Sequence, residues 1–209
     1  VTARDPNIEA DVRAMVQRIV DGLVGSGDSG LPEAVSEDRS PSEPDAARPG
    51  KVAGSAEGII AIGADHGGFA LKERIGFRLK EQGHTVVDCG THSSDPVDYP
   101  DIARSVARLV SGGEADVGII VDGAGIGSAM VANKVPGVRA ALCYDISTAR
   151  NAREHNHANV LTLGAGMTGD ALAWQITEEF LATPFGSGRH ARRVAMIDAL
   201  DSHSSEHVR

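Results

Sequence analysis

Val117-Gly118-Ile119-Ile120-Val121-Asp122-Gly123-Ala124-Gly125-Ile126-Gly127-Ser128 is the stretch whose reading decides the fold. The run Val117–Val121 is short and almost wholly aliphatic, as a strand buried on both faces has to be. Three glycines spaced by two then let the chain turn tightly, and a helical stretch over Ser128–Lys134 follows. The same alternation extends in both directions. Upstream, Ile59–Ile62 predicts a strand, Phe69–Gln82 a helix stopping at Gly83, Thr85–Cys89 a second strand and Asp101–Val110 a helix. Downstream come a strand at Arg139–Cys143, a helix at Ile146–Glu154, a strand at Asn159–Leu163 and helices at Asp170–Leu181 and Ala191–Leu200. Strands alternating with helices predict βαβ units, hence an α/β fold of three layers: a parallel sheet flanked by helices on both faces.

This alternation occupies residues 58–209, and two other kinds of sequence precede it. Within residues 1–24, Ile8, Val12, Met15, Val16, Ile19, Val20 and Leu23 recur at the spacing of one apolar helix face, with Asp5-Pro6 as a helix start. Residues 25–57 are rich in Gly, Ser, Pro, Asp and Glu, and four prolines interrupt them. Such a composition buries too little apolar surface to offset its ordering entropy, so a disordered linker is expected. A lone helix of this length is marginal in water and needs a partner for its apolar stripe, either another molecule or its own domain.

Composition narrows the function. Twenty Lys and Arg against 29 Asp and Glu give a net charge of −9, which argues against a nonspecific grip on nucleic acid. No apolar run approaches the roughly 20 residues of a membrane span. Thr2–Asn7 lacks the pattern of a secretory signal, so cytoplasmic residence is the expectation. Cys89 and Cys143 have neither disulfide-framework nor zinc spacing.

In an open parallel sheet, ligands bind beyond the carboxyl ends of the strands. After the first strand stand Asp65 and His66, which could bind sugar hydroxyls or exchange protons; taken alone, Asp65 reads first as a cap on the next helix. After the third strand, the glycines of Gly123, Ala124, Gly125, Ile126 and Gly127 allow backbone N–H groups to approach an oxyanion or a phosphate closely. Asp122 opens that loop and is a candidate base. His155 is a candidate general acid or base with Asn156 as its hydrogen-bonding neighbour. His155 and His157 lack metal-ligand spacing, so no metal is expected. Arg189 and Arg193, four apart on one helix face, could clamp a phosphate, although such basic turns are usually just solvated.

Together these stretches resemble the type B ribose-5-phosphate isomerases and the related galactose-6-phosphate isomerases. The matching segments are Ile62–Phe69, Val97–Asp101, Gly123–Gly127, Ala132–Ala140, Glu154–Asn156 and Gly188–Val194, in order from about Ile59 to Leu200. The resemblance implies a Rossmann-like fold, a homodimer with its sites at the subunit interface, tetramers being left open, and interconversion of an aldose phosphate with a ketose phosphate. It further implies that Asp65 and His66 contact the sugar and that Gly123 to Gly127 form the hole for the enediolate. His155 would assist ring opening, Asn156 would hold the substrate, and Arg189, His190 and Arg193 would receive the phosphate. No metal or organic cofactor is implied, since the reaction is a proton shuttle beside a stabilised oxyanion.

Three departures bear on the chemistry. Asp122 stands where many members have a cysteine base, and Ser128 where others have a glutamate base; Asp122 is the substitute this chain offers. Ala124 replaces a hydroxyl-bearing residue of the hole, and Gly166 replaces a phosphate-binding arginine. An active isomerase with an altered base is therefore expected, against two alternatives: a sugar-phosphate-binding homologue without turnover, and an epimerase using the same enediolate. The leading helix and linker resemble the encapsulation peptides of bacterial microcompartment cargo, which implies a shell protein as partner of residues 7–24 and residence inside a microcompartment.

Overall fold

The computed structural model describes residues 58–203. The expected leading helix and linker lie outside the described residues. Within them the chain runs β1 (Ile59–Ala64), α1 (Phe69–Glu81), β2 (Thr85–Asp88), α2 (Tyr99–Ser111), β3 (Val117–Asp122), α3 (Ile126–Ala132), β4 (Ala140–Leu142), α4 (Ile146–Asn156), β5 (Val160–Gly164), α5 (Asp170–Ala182) and α6 (Arg189–His203). All five strands are parallel, in the order β2-β1-β3-β5-β4. The expected α/β sheet is thus present, with every strand where the aliphatic runs placed it.

The two faces of the sheet bury separate cores. On one, Ile60, Ile62 and Ala64 of β1 pack with Leu71, Ile75 and Leu79 of α1 and with Ile176 and Phe180 of α5. On the other, Ala61 and Ile120 meet Ala103, Val106 and Val110 of α2. This is the period-2 alternation of a strand read against the 3.6 period of a helix. Phe180 is wholly buried and contributes about 2–3 kcal/mol.

Strand order creates the crevice. After β1 the chain crosses one way to β2 and then the other way to β3, so the carboxyl ends of β1 and β3 flank a topological switch point. Residues 65–68 and 122–128 emerge there. The loop after β2 is held beside them by Lys72, whose buried ammonium donates to both oxygens of Asp88 at 3.0 and 2.8 Å and to the Thr91 carbonyl at 2.8 Å. Although burial pushes the Asp88 carboxyl up, the Lys72 hydrogen bond and the Gly90 N–H outweigh it and hold it below the usual carboxylate range.

Two boundaries differ from expectation in ways that matter. Helix α3 begins at Ile126 rather than Ser128, because Gly125 takes φ 78° as its N-cap and places Ile126 and Gly127 in the first turn. Helix α6 begins at Arg189, so Arg189 and His190 are helical residues and not part of the preceding turn.

Candidate active site

The loop after β3 is organised by its own first side chain. Asp122 is 5% exposed. Its Oδ1 accepts from the backbone N–H of Ala124 at 2.8 Å and from that of Gly125. Its Oδ2 accepts from the N–H of Ser128 at 3.1 Å and from the Ser128 hydroxyl at 2.5 Å. The loop is therefore built to hold an anion, and the anion it holds is the carboxylate of Asp122. This changes how the residue is read: it is a base candidate whose two oxygens are engaged by four donors of its own loop.

Neighbours fix the loop from outside. Tyr144 donates its hydroxyl to the Ala124 carbonyl at 3.0 Å, and the Gly166 N–H donates to the Gly123 carbonyl at 3.0 Å. The ring of Tyr99 lies against Gly127, where a Cβ would come within 2.6 Å of it. Neither Tyr99 nor Tyr144 is among the site residues the sequence singles out, and Ser128 stands out there only as the position of the family's glutamate base. Tyr99 and Tyr144 lie 28 and 20 positions from the loop residues they touch, beyond the reach of any local pattern.

Asp65 and His66 join the loop at the crevice. The Asp65 N–H donates to the Val121 carbonyl at 3.2 Å, and its Oδ1 accepts from the Gly68 N–H at 2.9 Å, so it does close the turn into α1. His66 is exposed, and its Nδ1 accepts from the Val97 N–H at 3.4 Å. A neutral ring in that role carries its proton on Nε2.

The remaining candidates lie elsewhere. His155 and Asn156 end α4, and Arg189 and His190 open α6. The His155 and His190 rings stack with centroids 4.3 Å apart and planes 5° from parallel. Asn151 Nδ2 lies 2.8 Å from His155 Nδ1, Glu154 Oε1 lies 3.8 Å from its Nε2, and Asn156 donates to the Asn151 carbonyl at 3.4 Å. Desolvation, the neighbouring His155 and the charges of Arg189 and Arg193 hold the His190 imidazole below its usual range. An anion would relieve this concentration of like charge.

These two groups occupy opposite edges of the sheet. β5 starts at Val160, just after His155 and Asn156, and ends at Gly164, one residue before the Ala165 N–H that donates to the Asp122 carbonyl. Four strand steps place them roughly 13 Å apart along the strand. One chain therefore unites Asp65, His66 and residues 122–128, and separately His155, Asn156, Arg189 and His190 with the neighbouring Arg193, but not the first set with the second.

Neither cysteine offers an alternative base. Burial pushes the Cys143 thiol up to about 11, and burial and the Asp88 charge push that of Cys89 up as well. Among the described residues no group of three or more His, Cys, Asp or Glu side chains could hold a metal ion, and no helix is long and apolar enough to cross a membrane.

Known proteins similar to this chain carry the names of sugar-phosphate isomerases. The family described as Ribose/Galactose Isomerase matches residues 60–197. Ribose-5-phosphate isomerase B of Escherichia coli strain K12 is 44% identical over 142 residues, which are 68% of this chain and 95% of that protein. Among solved structures, ribose-5-phosphate isomerase B of Clostridium thermocellum superposes with a TM-score of 0.69 at 46% identity, covering 70% of this chain and 99% of that one. The enzyme of Mycoplasma genitalium with bound ribulose-5-phosphate gives 0.66 at 40% identity, over 69% of this chain and 96% of that one.

Proposed function

The chain belongs to the ribose/galactose isomerase family, and on that premise we propose that it interconverts an aldose phosphate with a ketose phosphate, ribose 5-phosphate with ribulose 5-phosphate first among them. One observation carries this reading: a buried carboxylate and a set of backbone N–H donors share the loop after β3. Isomerisation through an enediolate needs both, a base for the proton on C2 and donors for the oxyanion on O1. Asp122 is the base, and Gly123 to Gly127 form the hole. Asp65 and His66 hold the sugar, His155 assists ring opening with Asn156 beside it, and Arg189, His190 and Arg193 take the phosphate.

The roughly 13 Å between the two groups supports a homodimer in which the carboxyl edge of one sheet meets the amino edge of its partner's. Exposed Met196, Ile197 and Leu200 on α6, and Ile126 and Met130 on α3, give such a pairing apolar surface to bury. A second reading, a sugar-phosphate binder without turnover, is favoured by the occupation of the hole by Asp122. NMR of ribose 5-phosphate with the protein in heavy water separates the two. Ribulose 5-phosphate carrying deuterium is the expected product; protein shift changes without conversion would support the binder.

For residues 1–24, the apolar stripe and the following Pro/Gly/Ser-rich stretch support a helix that docks on a microcompartment shell protein, with the enzyme resident inside. Deleting residues 1–24 is expected to leave kcat within about twofold of the full chain and to abolish co-sedimentation with shell. Loss of activity on deletion would instead place the helix on its own domain.

A further inference from the structure

The loop after β3 has two N–H groups that two anions require. In the free protein the N–H groups of Ala124 and Gly125 donate to Asp122 Oδ1, while in the reaction the same donors face the substrate's O1. The two oxygens of Asp122 differ in their surroundings. The Oδ1 side adjoins exposed Gly123 and half-buried Ala124, where a ligand can arrive. The Oδ2 side is closed: Ser128 is wholly buried, and its hydroxyl and N–H converge on that single oxygen at 2.5 and 3.1 Å. Bonds of this kind to a carboxylate are short and roughly twice as strong as neutral ones.

Resting on the reading of the chain as an isomerase with Asp122 as base, we propose that Ser128 is the positioning residue on which Asp122 pivots, keeping Oδ2 while Oδ1 passes from the loop to the substrate. The substrate's carbonyl oxygen takes over the N–H groups of Ala124 and Gly125, so no backbone donor is left unpaired. Oδ1 is released toward C2. While Oδ1 accepts from the Ala124 and Gly125 N–H groups it is turned into the loop and not toward C2, so the base is masked until the oxygen that needs the hole has filled it.

The step then balances. The C2–H bond breaks, its electron pair forms the C1=C2 bond, O1 takes the negative charge on the two N–H groups, and the proton goes to Oδ1. Oδ1 returns that proton to C1 while the hydroxyl proton of O2 passes to O1, leaving the carbonyl at C2. Without the Ser128 hydroxyl, Oδ2 is held by one N–H alone and the carboxylate loses its aim.

The test uses the full chain, ribose 5-phosphate and its C2-deuterated form. Ser128→Ala is expected to lower kcat about 30-fold with KM within about twofold, and to raise the primary deuterium isotope effect on kcat. In an Asp122→Asn background, Ser128→Ala is expected to change the residual rate of C2 proton exchange by less than about twofold, since a residue acting through Asp122 has nothing left to position. Ser128→Ala with kcat within about threefold of the parent, or an effect that simply multiplies in the double variant, overturns the pivot. If Asp122→Asn is inactive while Ser128→Ala is normal, the base stands and the pivot falls; if Asp122→Asn turns over normally, the base reading itself falls.

Discussion

Asp122→Ala is expected to lose about three orders of magnitude in turnover of ribose 5-phosphate. Two effects combine. The base is gone, and three backbone N–H groups and the Ser128 hydroxyl lose their acceptor in a buried loop. Each donor left unsatisfied costs about 1–3 kcal/mol, so the melting temperature falls as well. Asp122→Asn goes part of the way to separating the two effects, because its amide oxygen still accepts from one pair of loop donors, although its NH2 must face the other pair, while it cannot take a proton from carbon. Equal loss of turnover in both variants, with smaller thermal destabilisation in the Asn form, identifies the base. Near-normal turnover of Asp122→Ala in the deuterium-incorporation assay removes Asp122 from the chemistry. Turnover above the parent's would recast it as a plug.

Gly125→Ala is expected to be the most damaging change of a residue that carries no side chain. Its φ of 78° lies in the left-handed region, and a Cβ there would stand 2.4 Å from Leu142 Cδ1 and 3.0 Å from the Leu163 carbonyl carbon. The left-handed conformation costs about 1–2 kcal/mol, and overpacking adds about 1–3 kcal/mol. The Leu142 tip can turn aside but the β5 backbone cannot, so relief requires the loop to move away from β5, and the Gly125 N–H moves with it. Turnover is expected to fall at least about 100-fold, as a misplacement of 1 Å suffices for that. Thermal unfolding and kcat measured together check it. A variant as stable and as active as the parent would show that the loop geometry is not what the reaction uses.

Much of this architecture is legible in the chain because burial imposes it locally. Ile59–Ile62 and Val117–Val121 must be two-sided strands, and the glycines after them must be turns, whatever surrounds them. Long-range pairing is not legible in this way. β3 lies between β1 and β5 only because the chain crosses both ways from β1, which no periodicity records. The start of α3 at Ile126 depends on Gly125 capping it and on Asp122 reaching forward to the Ser128 N–H, so Ile126 and Gly127, which read as loop, stand in the first helical turn. Within the site, Asp122 and the glycines are adjacent and could be read together. That the carboxylate fills the hole follows from side-chain direction, which composition does not encode. The stack of His155 on His190 joins residues 35 positions apart and appears only once α4 and α6 are packed.

Placement of the two residue groups at opposite edges of the sheet has a genetic consequence. If each working site takes Asp122 from one chain and Arg193 from the other, then Asp122→Ala and Arg193→Ala inactivate different halves of the same site. Coexpressed in equal amounts, the two dead alleles give half mixed dimers, and in each mixed dimer one site carries both lesions while the other carries neither. About a quarter of the parental activity returns from two parents with none. Were every site complete within its own chain, the mixture would stay as inactive as its components.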